Sequence, residues 1–139
     1  MTRPTLPPFR IDPSLVTPIW AQIEDGVRRL LAGGDLRPRD AVPSVRELAG
    51  ALRVNPATVA KAYQRLVAQQ VLEVRRGEGT FVAAHPAPLP QSERSRRLSD
   101  AARQYQTAAL SLSATLEEAT QALEAEWRSL GSGAARSMR

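Results

Sequence analysis

The sequence contains no cysteine and only one histidine, His85. The lack of thiols excludes disulfide bridges, cysteine nucleophiles and cysteine-ligated zinc. A single histidine supports neither a histidine-rich metal centre nor a Ser-His-Asp triad. No phosphate-binding loop is present. We therefore predict no metal, no cofactor and no catalytic residue, and we interpret the chain as something other than an enzyme.

Long apolar runs are also missing. No stretch approaches the roughly 18 uncharged apolar residues that a membrane span requires, and no apolar block follows the N-terminus as in a signal peptide. These absences predict a soluble cytoplasmic protein that has no membrane partner. The chain has 139 residues, of which 42% are apolar, and this suits one domain with an appendage.

Basic residues outnumber acidic ones, and the surplus lies in the middle of the chain. The net charge is +5, from 19 Lys and Arg against 14 Asp and Glu. Six basic and three acidic residues fall between Ser44 and Thr80, whereas one basic and four acidic residues fall between Ser111 and Leu130. A local basic surplus favours a polyanionic partner such as nucleic acid.

Three helices are predicted in residues 1–84, after a proline-rich arm of residues 1–17. Apolar residues from Ile19 onward recur at helical spacing until a Gly-Gly pair at 33–34. Ser44-Val-Arg-Glu47 is a capping box that begins the second helix. Asn55-Pro56 begins the third, which ends near Gln69, because Asn is a favoured N-cap and Pro suits the first helical position.

A β-hairpin is predicted after the third helix. Residues 71–75 and 80–83 alternate apolar and polar side chains, and Arg76-Gly-Glu-Gly79 supplies a glycine-rich turn. Three helices followed by a two-stranded wing describe a winged helix-turn-helix. The predicted fold class is therefore mainly α with a small β-hairpin, in which this N-terminal domain precedes a short C-terminal two-helix dimerisation segment.

The C-terminal part is predicted to be helical and to pair with a second copy. A linker of residues 85–91 precedes a segment, 92–130, without Gly or Pro, which we interpret as two helices, 92–109 and 114–130, although one bent helix is the alternative. Residues 131–139 are predicted to be a frayed tail. Apolar side chains at helical spacing are the predicted dimerisation residues: Leu98, Ala102, Tyr105, Leu112, Leu116, Leu123 and Trp127.

Two further expectations concern this segment. Arginines of its first helix oppose glutamates of its second, which favours an antiparallel pair. We also expect it to enclose no sizeable ligand pocket, because its short helices are needed for the interface. A small effector of unknown identity would then bind at the domain junction or change the spacing of the two winged domains.

The candidate DNA contacts follow from how a winged helix-turn-helix binds. The third helix enters the major groove with its N-terminal residues on base edges, while the second helix crosses the backbone. Asn and Thr can hydrogen-bond bases or phosphates, Ala can contact a thymine methyl, and Lys or Arg can contact phosphate. The predicted DNA-binding residues are Ser44, Arg46, Asn55, Ala57, Thr58, Lys61, Arg75, Arg76, Gly77, Gly79 and Thr80.

Four motifs in order resemble the GntR family of bacterial transcriptional regulators: PIWAQI (18–23), VPSVRELA (42–49), VNPATVAKAY (54–63) and RGEGTFV (76–82). The Asn-Pro-x-Thr-Val start of the third helix and the short C-terminus resemble its YtrA subfamily. The resemblance implies a dimeric repressor, often encoded with ATP-binding-cassette transporter genes. It also implies DNA contacts from Arg46, residues 55–61 and Gly77.

The sequence also departs from the family pattern. Pro56 and Ala60 stand where relatives often carry arginines that contact DNA, so the operator sequence is left open. Arg39, Arg53 and Gln70 occupy positions where Gly is common, and there we expect a positive φ, which is mildly unfavourable for other residues.

The sequence therefore predicts a sequence-specific double-stranded-DNA-binding regulator that represses from an inverted repeat as a homodimer. The alternative is a winged-helix module that binds protein without reading DNA sequence. The two differ in salt dependence, because a protein that contacts phosphates loses affinity steeply as salt rises. The operator, the regulated genes, the effector and the choice between repression and activation are not predicted.

Overall fold

The computed structural model of the chain describes residues 10–137, with side chains as far as residue 131. The elements described are α1 (Ile19–Ala32), β1 (Ala41–Val42), α2 (Val45–Leu52), α3 (Pro56–Ala68), β2 (Leu72–Arg75), β3 (Gly79–Val82), α4 (Gln91–Ser111) and α5 (Leu116–Ser137). The chain divides into two units between Pro88 and Leu89, inside the segment predicted as a linker. No helix among residues 10–137 is long and apolar enough to cross a membrane.

The helix starts of the N-terminal unit are those the sequence predicts. The Ser44 hydroxyl accepts a hydrogen bond from the Glu47 amide at 3.1 Å, and the Glu47 carboxylate accepts one from the Ser44 amide at 3.3 Å. Asn55 Oδ1 accepts from the Ala57 amide at 2.8 Å, with Pro56 at the first position of α3. Each cap satisfies amides that the first helical turn leaves without a partner.

The sheet has one strand more than predicted. Strand β3 lies between β1 and β2 and pairs antiparallel with both. The predicted two-stranded hairpin is therefore incomplete, because Ala41–Val42 adds an edge strand in which Val42 faces Thr80. Two residues are too few to show an alternating pattern, so this strand could not be predicted from the sequence.

A hydrophobic core joins α1, α2, α3 and the sheet. It contains Ile23, Val27, Leu30, Leu36, Val42, Leu48, Ala49, Val59, Ala62, Tyr63, Leu66, Val71, Leu72 and Val82. Ala49 and Val59 are among them, as a close crossing of α2 and α3 requires. Burial of these apolar side chains is the main contribution to the stability of the unit.

Three non-glycine residues of this unit have a positive φ, as predicted. The values are 72° at Arg39, 57° at Arg53 and 63° at Gln70. Arg53 follows the end of α2, and its amide donates to the Ala49 and Gly50 carbonyls. A residue in this left-handed conformation ends a helix and turns the chain, at a small energetic cost when it is not glycine.

The C-terminal unit consists of two helices, as predicted, and not of one bent helix. Ser113 turns the chain between them with a φ of 58°. Thr115 and Glu118 then form a capping box, with hydrogen bonds of 3.1 Å in both directions. Helix α5 continues to Ser137, so the prediction of a frayed tail is wrong for residues 131–137. Residues 138–139 lie outside the described part of the chain.

Ion pairs within α4 account for several of the arginines that the sequence analysis placed opposite α5. Arg96 and Arg97 approach Glu93, and Arg103 approaches Asp100. Helix α4 meets α5 through the Tyr105 hydroxyl, which donates to the Ala119 carbonyl at 2.7 Å.

Apolar side chains of the two C-terminal helices are exposed in the single chain. Leu116 is 85% exposed and Trp127 69% exposed, and α4 has no buried residue. Between the helices lies a groove of about 600 Å³, lined by residues that include Ala102, Tyr105 and Leu123. The groove is open to solvent, so it is not the enclosed ligand pocket whose absence was expected.

Candidate nucleic-acid interface

The N-terminus of α2 presents the first group of predicted DNA contacts. Arg46 is exposed and makes no ion pair with any other described residue. The Ser44 hydroxyl accepts the Glu47 amide hydrogen, which leaves its own hydrogen free to donate. A phosphate placed here would meet an arginine, a hydroxyl donor and the positive end of the helix dipole.

Tyr63 of α3 holds in place the segment that precedes α2. Its hydroxyl donates to the Pro43 carbonyl at 2.7 Å, in a buried position immediately before Ser44. Burial, and to a smaller extent the charge of Glu47, raise the pKa of Tyr63 well above the ordinary value of tyrosine. The neutral hydroxyl therefore stays a donor at physiological pH. Since Val42 pairs with Thr80, this short segment joins α2, α3 and the wing.

The N-terminus of α3 holds the predicted base-reading residues. Asn55 and Ala57 are exposed, whereas Thr58 is half-buried. Asn55 uses its side-chain oxygen as the helix cap, and this leaves its amide NH₂ to donate. Asn55 can thus cap the helix and contact DNA at the same time. Thr58 offers only part of its surface to a ligand.

Lys61 lies one turn farther along α3 and contacts an aromatic ring. Its ammonium lies 4.6 Å from the centre of the Trp20 ring, and the Arg65 guanidinium carbon lies 4.4 Å from the same centre. This cluster is not among the features predicted from the sequence. The signal available was a pair of basic residues four apart on one helix face, with an aromatic residue at the start of α1.

A buried carboxylate holds Arg65 in that cluster. Glu24 of α1 is only 1% exposed, and its two oxygens accept from Arg65 Nε at 2.8 Å and from Gln69 Nε2 at 2.9 Å. This network ties α1 to the C-terminal half of α3. A glutamate inside the apolar stripe of α1 was the sequence signal for it, because buried carboxylates are nearly always paired.

The wing presents its turn to solvent. Arg76 is exposed and Gly77, with a φ of 80°, occupies a turn closed by the Glu78 amide on the Arg75 carbonyl at 2.9 Å. The space around Gly77 is open, so glycine is required here by the positive φ and not by a lack of room for a side chain. The main chain at the tip of the wing is therefore accessible. Gly79, with a φ of 126°, begins the returning strand.

Arg75 has partners within the wing. Its guanidinium lies 4.2 Å from the centre of the Phe81 ring and bonds the Glu73 carboxylate at 3.0 Å. Both side chains of this ion pair are about two-fifths exposed, so the pair contributes little stability and exchanges easily for another anion. Arg75 is therefore less available to DNA than Arg76. Thr80 follows on β3 and is half-buried.

The comparisons with known proteins agree with this architecture. Residues 20–82 match the model of the bacterial regulatory proteins, gntR family. The HTH-type transcriptional repressor YtrA of Bacillus subtilis is 43% identical over 75 residues, which are 54% of this chain and 58% of that protein. The chain thus matches little more than half the length of this relative.

Two solved structures extend the likeness beyond the winged unit. YtrA from Sulfolobus acidocaldarius, a GntR-family transcription factor, is 36% identical, covers 68% of this chain and 96% of its own, and has a TM-score of 0.56. A transcriptional antiterminator from Listeria monocytogenes is 26% identical, covers 90% of this chain and 93% of its own, and has a TM-score of 0.67. Together with the capped α2 and α3 and the glycine-tipped wing, these matches show that the chain belongs to the GntR family of DNA-binding transcriptional regulators, in its YtrA-like group.

Proposed function

We propose that the protein represses transcription by binding an inverted-repeat operator as a homodimer. The observation that carries the DNA-binding part is the set of unpaired donors at the N-termini of α2 and α3 and at the wing tip. Arg46 and Arg76 are exposed cations without a described acidic partner. The side chains of Ser44 and Asn55 act only as acceptors in the caps, so the hydroxyl and the amide NH₂ can still donate. These groups match the acceptors of a DNA backbone and of base edges.

The proposed roles divide between positioning and reading. Ser44, Arg46, Arg75, Arg76 and the main chain of Gly77, Gly79 and Thr80 would contact phosphate and sugar, whereas Asn55, Ala57 and Thr58 would contact bases. Lys61 would contact phosphate beside them. The half-buried position of Thr58 supports at most one base contact from it.

The homodimer is proposed from the C-terminal helices. Their apolar side chains at helical spacing, among them Leu116, Leu123 and Trp127, are exposed in the single chain, and such faces are usually covered by a partner. A two-fold dimer presents two recognition helices to two half-sites about one helical turn, or a multiple of it, apart. We propose a transporter operon as the regulated target, and any small effector remains to be identified.

The test is duplex binding by the full chain at increasing salt, with Arg46→Ala as the variant. We expect a steep loss of affinity with salt, and a further loss of about 1–3 kcal/mol for Arg46→Ala on a duplex selected from a random pool. Arg96→Ala removes the same charge from α4, where the side chain is 70% exposed, and should leave affinity unchanged.

Light scattering and circular dichroism establish that both variants keep the fold and assembly of the wild type. If wild-type binding were insensitive to salt, or if a folded Arg46→Ala protein bound as tightly as the wild type, the interaction-module alternative would replace the proposal.

A further inference from the structure

Trp20 carries two cations on one ring, and they are bound differently. Arg65 is held by the buried carboxylate of Glu24 through a 2.8 Å bond from its Nε. Lys61 has no carboxylate partner among residues 10–131, so the indole is the group that fixes its ammonium. The charge of Arg65 is thus compensated within the protein, whereas that of Lys61 is available to an outside anion.

The ring is fixed before any ligand binds. Trp20 is half-buried against the hydrophobic core, and the Glu24-bound guanidinium of Arg65 lies over it. Tryptophan is the aromatic side chain that attracts cations most strongly. A flexible lysine over such a rigid ring loses part of its rotamer freedom in the free protein, so less is lost on binding.

Lys61 also lies on the helix face that the proposed base contacts share. It follows Thr58 by three residues and Ala57 by four, and residues at these spacings lie side by side on a helix. Its side chain remains exposed while it contacts the ring. An ammonium has three donors, so it can face the indole and still donate to a phosphate oxygen.

We propose that Trp20 is a positioning residue for DNA binding, which holds the Lys61 ammonium at the edge of α3 where it meets a backbone phosphate. This inference rests on the DNA-binding function proposed above. In the complex the ammonium keeps its contact with the ring. A weaker ring–cation attraction leaves Lys61 on the ring less often in the free protein, so more rotamer freedom is lost on binding and affinity falls. Trp20 itself makes no contact with DNA.

The test weakens the attraction without changing the shape of the ring. Tryptophan is replaced by mono- and tetrafluorotryptophan, which reduce the negative charge of the ring face, in the full chain and in full-length Lys61→Ala. Affinity for a fixed 30-base-pair duplex is measured by anisotropy at several salt concentrations. A specific operator is not needed, because phosphate contacts do not depend on sequence.

We expect affinity to fall stepwise with fluorination, by about two- to fivefold in total, in the protein that contains Lys61. Affinity should not change on fluorination of Lys61→Ala. This variant contains the same fluorinated residues at positions 20 and 127, so it controls for any effect of fluorination at Trp127. The salt slope should fall by about one in Lys61→Ala and stay constant on fluorination, because the number of phosphates contacted is then unchanged.

Other outcomes overturn the inference. Equal losses in both backgrounds would mean that Trp20 acts only on the stability of the fold, and tighter binding on fluorination would mean that the ring withholds Lys61 from DNA. Trp20→Phe, which keeps a weaker aromatic face, should lie between the wild type and Trp20→Leu. If the wild type bound the duplex without salt dependence, the proposed DNA-binding function would fail together with the inference about Trp20. Salt-dependent binding that did not respond to fluorination would contradict only the inference about Trp20.

Discussion

The two units of the chain use their apolar residues in opposite ways. In the N-terminal unit, helices α1, α2 and α3 bury their apolar faces against one another and against the sheet. In the C-terminal unit, α4 buries no side chain, and the large apolar residues of both helices are exposed. The first unit has a buried core of its own, whereas the second exposes the apolar surface from which we propose the dimer interface.

This difference assigns different consequences to the same kind of substitution. A buried leucine in the winged unit contributes to the folding of one chain, whereas in the proposed dimer a leucine in α5 contributes to the association of two. Each prediction below compares the units or tests a contact on which one of them depends.

The largest effect is expected for Leu66→Ala, matched with Leu130→Ala. Leu66 is completely buried and Leu130 is 68% exposed in the single chain. Removal of the buried side chain should lower the free energy of unfolding of the winged unit by about 2–5 kcal/mol. Leu130→Ala should leave the unfolding of that unit unchanged. Urea unfolding followed by Trp20 fluorescence, in a Trp127→Phe background, measures the free energy of unfolding of both variants. Equal decreases in the two variants would contradict the difference proposed between the units.

The next effect is expected for Leu123→Glu, matched with Ala125→Glu. Both substitutions add one carboxylate to α5, but only Leu123 lies on the groove that faces α4. A charge buried in an interface should raise the dimer dissociation constant about a hundredfold, which is about 2.8 kcal/mol. Ala125→Glu, on the other side of the helix, should change it little.

Sedimentation equilibrium gives the dissociation constants of both variants. A chain that ends at Pro88 should be monomeric in the same experiment and retain its helical content. If that shorter chain remained dimeric, the interface would lie in the winged unit and the comparison would be wrong.

A smaller effect is expected for Tyr63→Phe. Loss of the hydroxyl leaves the buried Pro43 carbonyl without its donor, which should cost about 1–3 kcal/mol of unfolding free energy at neutral pH. Because burial raises the pKa of Tyr63 in the folded state, its contribution is complete below the ordinary tyrosine pKa of 10.0 and decreases as the pH rises above it. Unfolding measured from pH 8 to 11 should therefore show a steeper decline for the wild type than for Tyr63→Phe, and parallel curves would refute the buried hydrogen bond.

Local signals in the sequence predict much of the winged unit. The capping residues Ser44 and Asn55 gave the starts of α2 and α3, because a cap is decided by the residue and its neighbours alone. The positive φ values at Arg39, Arg53 and Gln70 were expected from the family resemblance, because relatives commonly carry glycine at these positions. The family resemblance added the order of the motifs and is confirmed by the comparisons.

Contacts between distant segments could not be predicted in the same way. Strand β1 exists because its two residues pair with β3, some forty positions later, and nothing in Ala41–Val42 alone favours a strand. The Glu24–Arg65 bond and the Trp20 cluster likewise join α1 to α3 across the core. Such contacts depend on how helices cross, which residue spacing within one helix does not determine.

The charge pattern of the C-terminal helices is a weak guide to their packing for a related reason. Opposite charges on α4 and α5 favoured pairing between the helices, but arginines of α4 find acidic partners three or four residues away on their own helix. Local pairs need no further ordering of the chain, and exposed pairs contribute too little energy to direct the packing of two helices.

The division of roles between the two units is tested most directly by the stoichiometry of the full chain on a duplex selected from a random pool. The account predicts two chains per duplex and a symmetric footprint on two half-sites, with Leu123→Glu binding the same half-sites more weakly and without cooperation between chains. One wild-type chain per duplex with a single asymmetric footprint would contradict it.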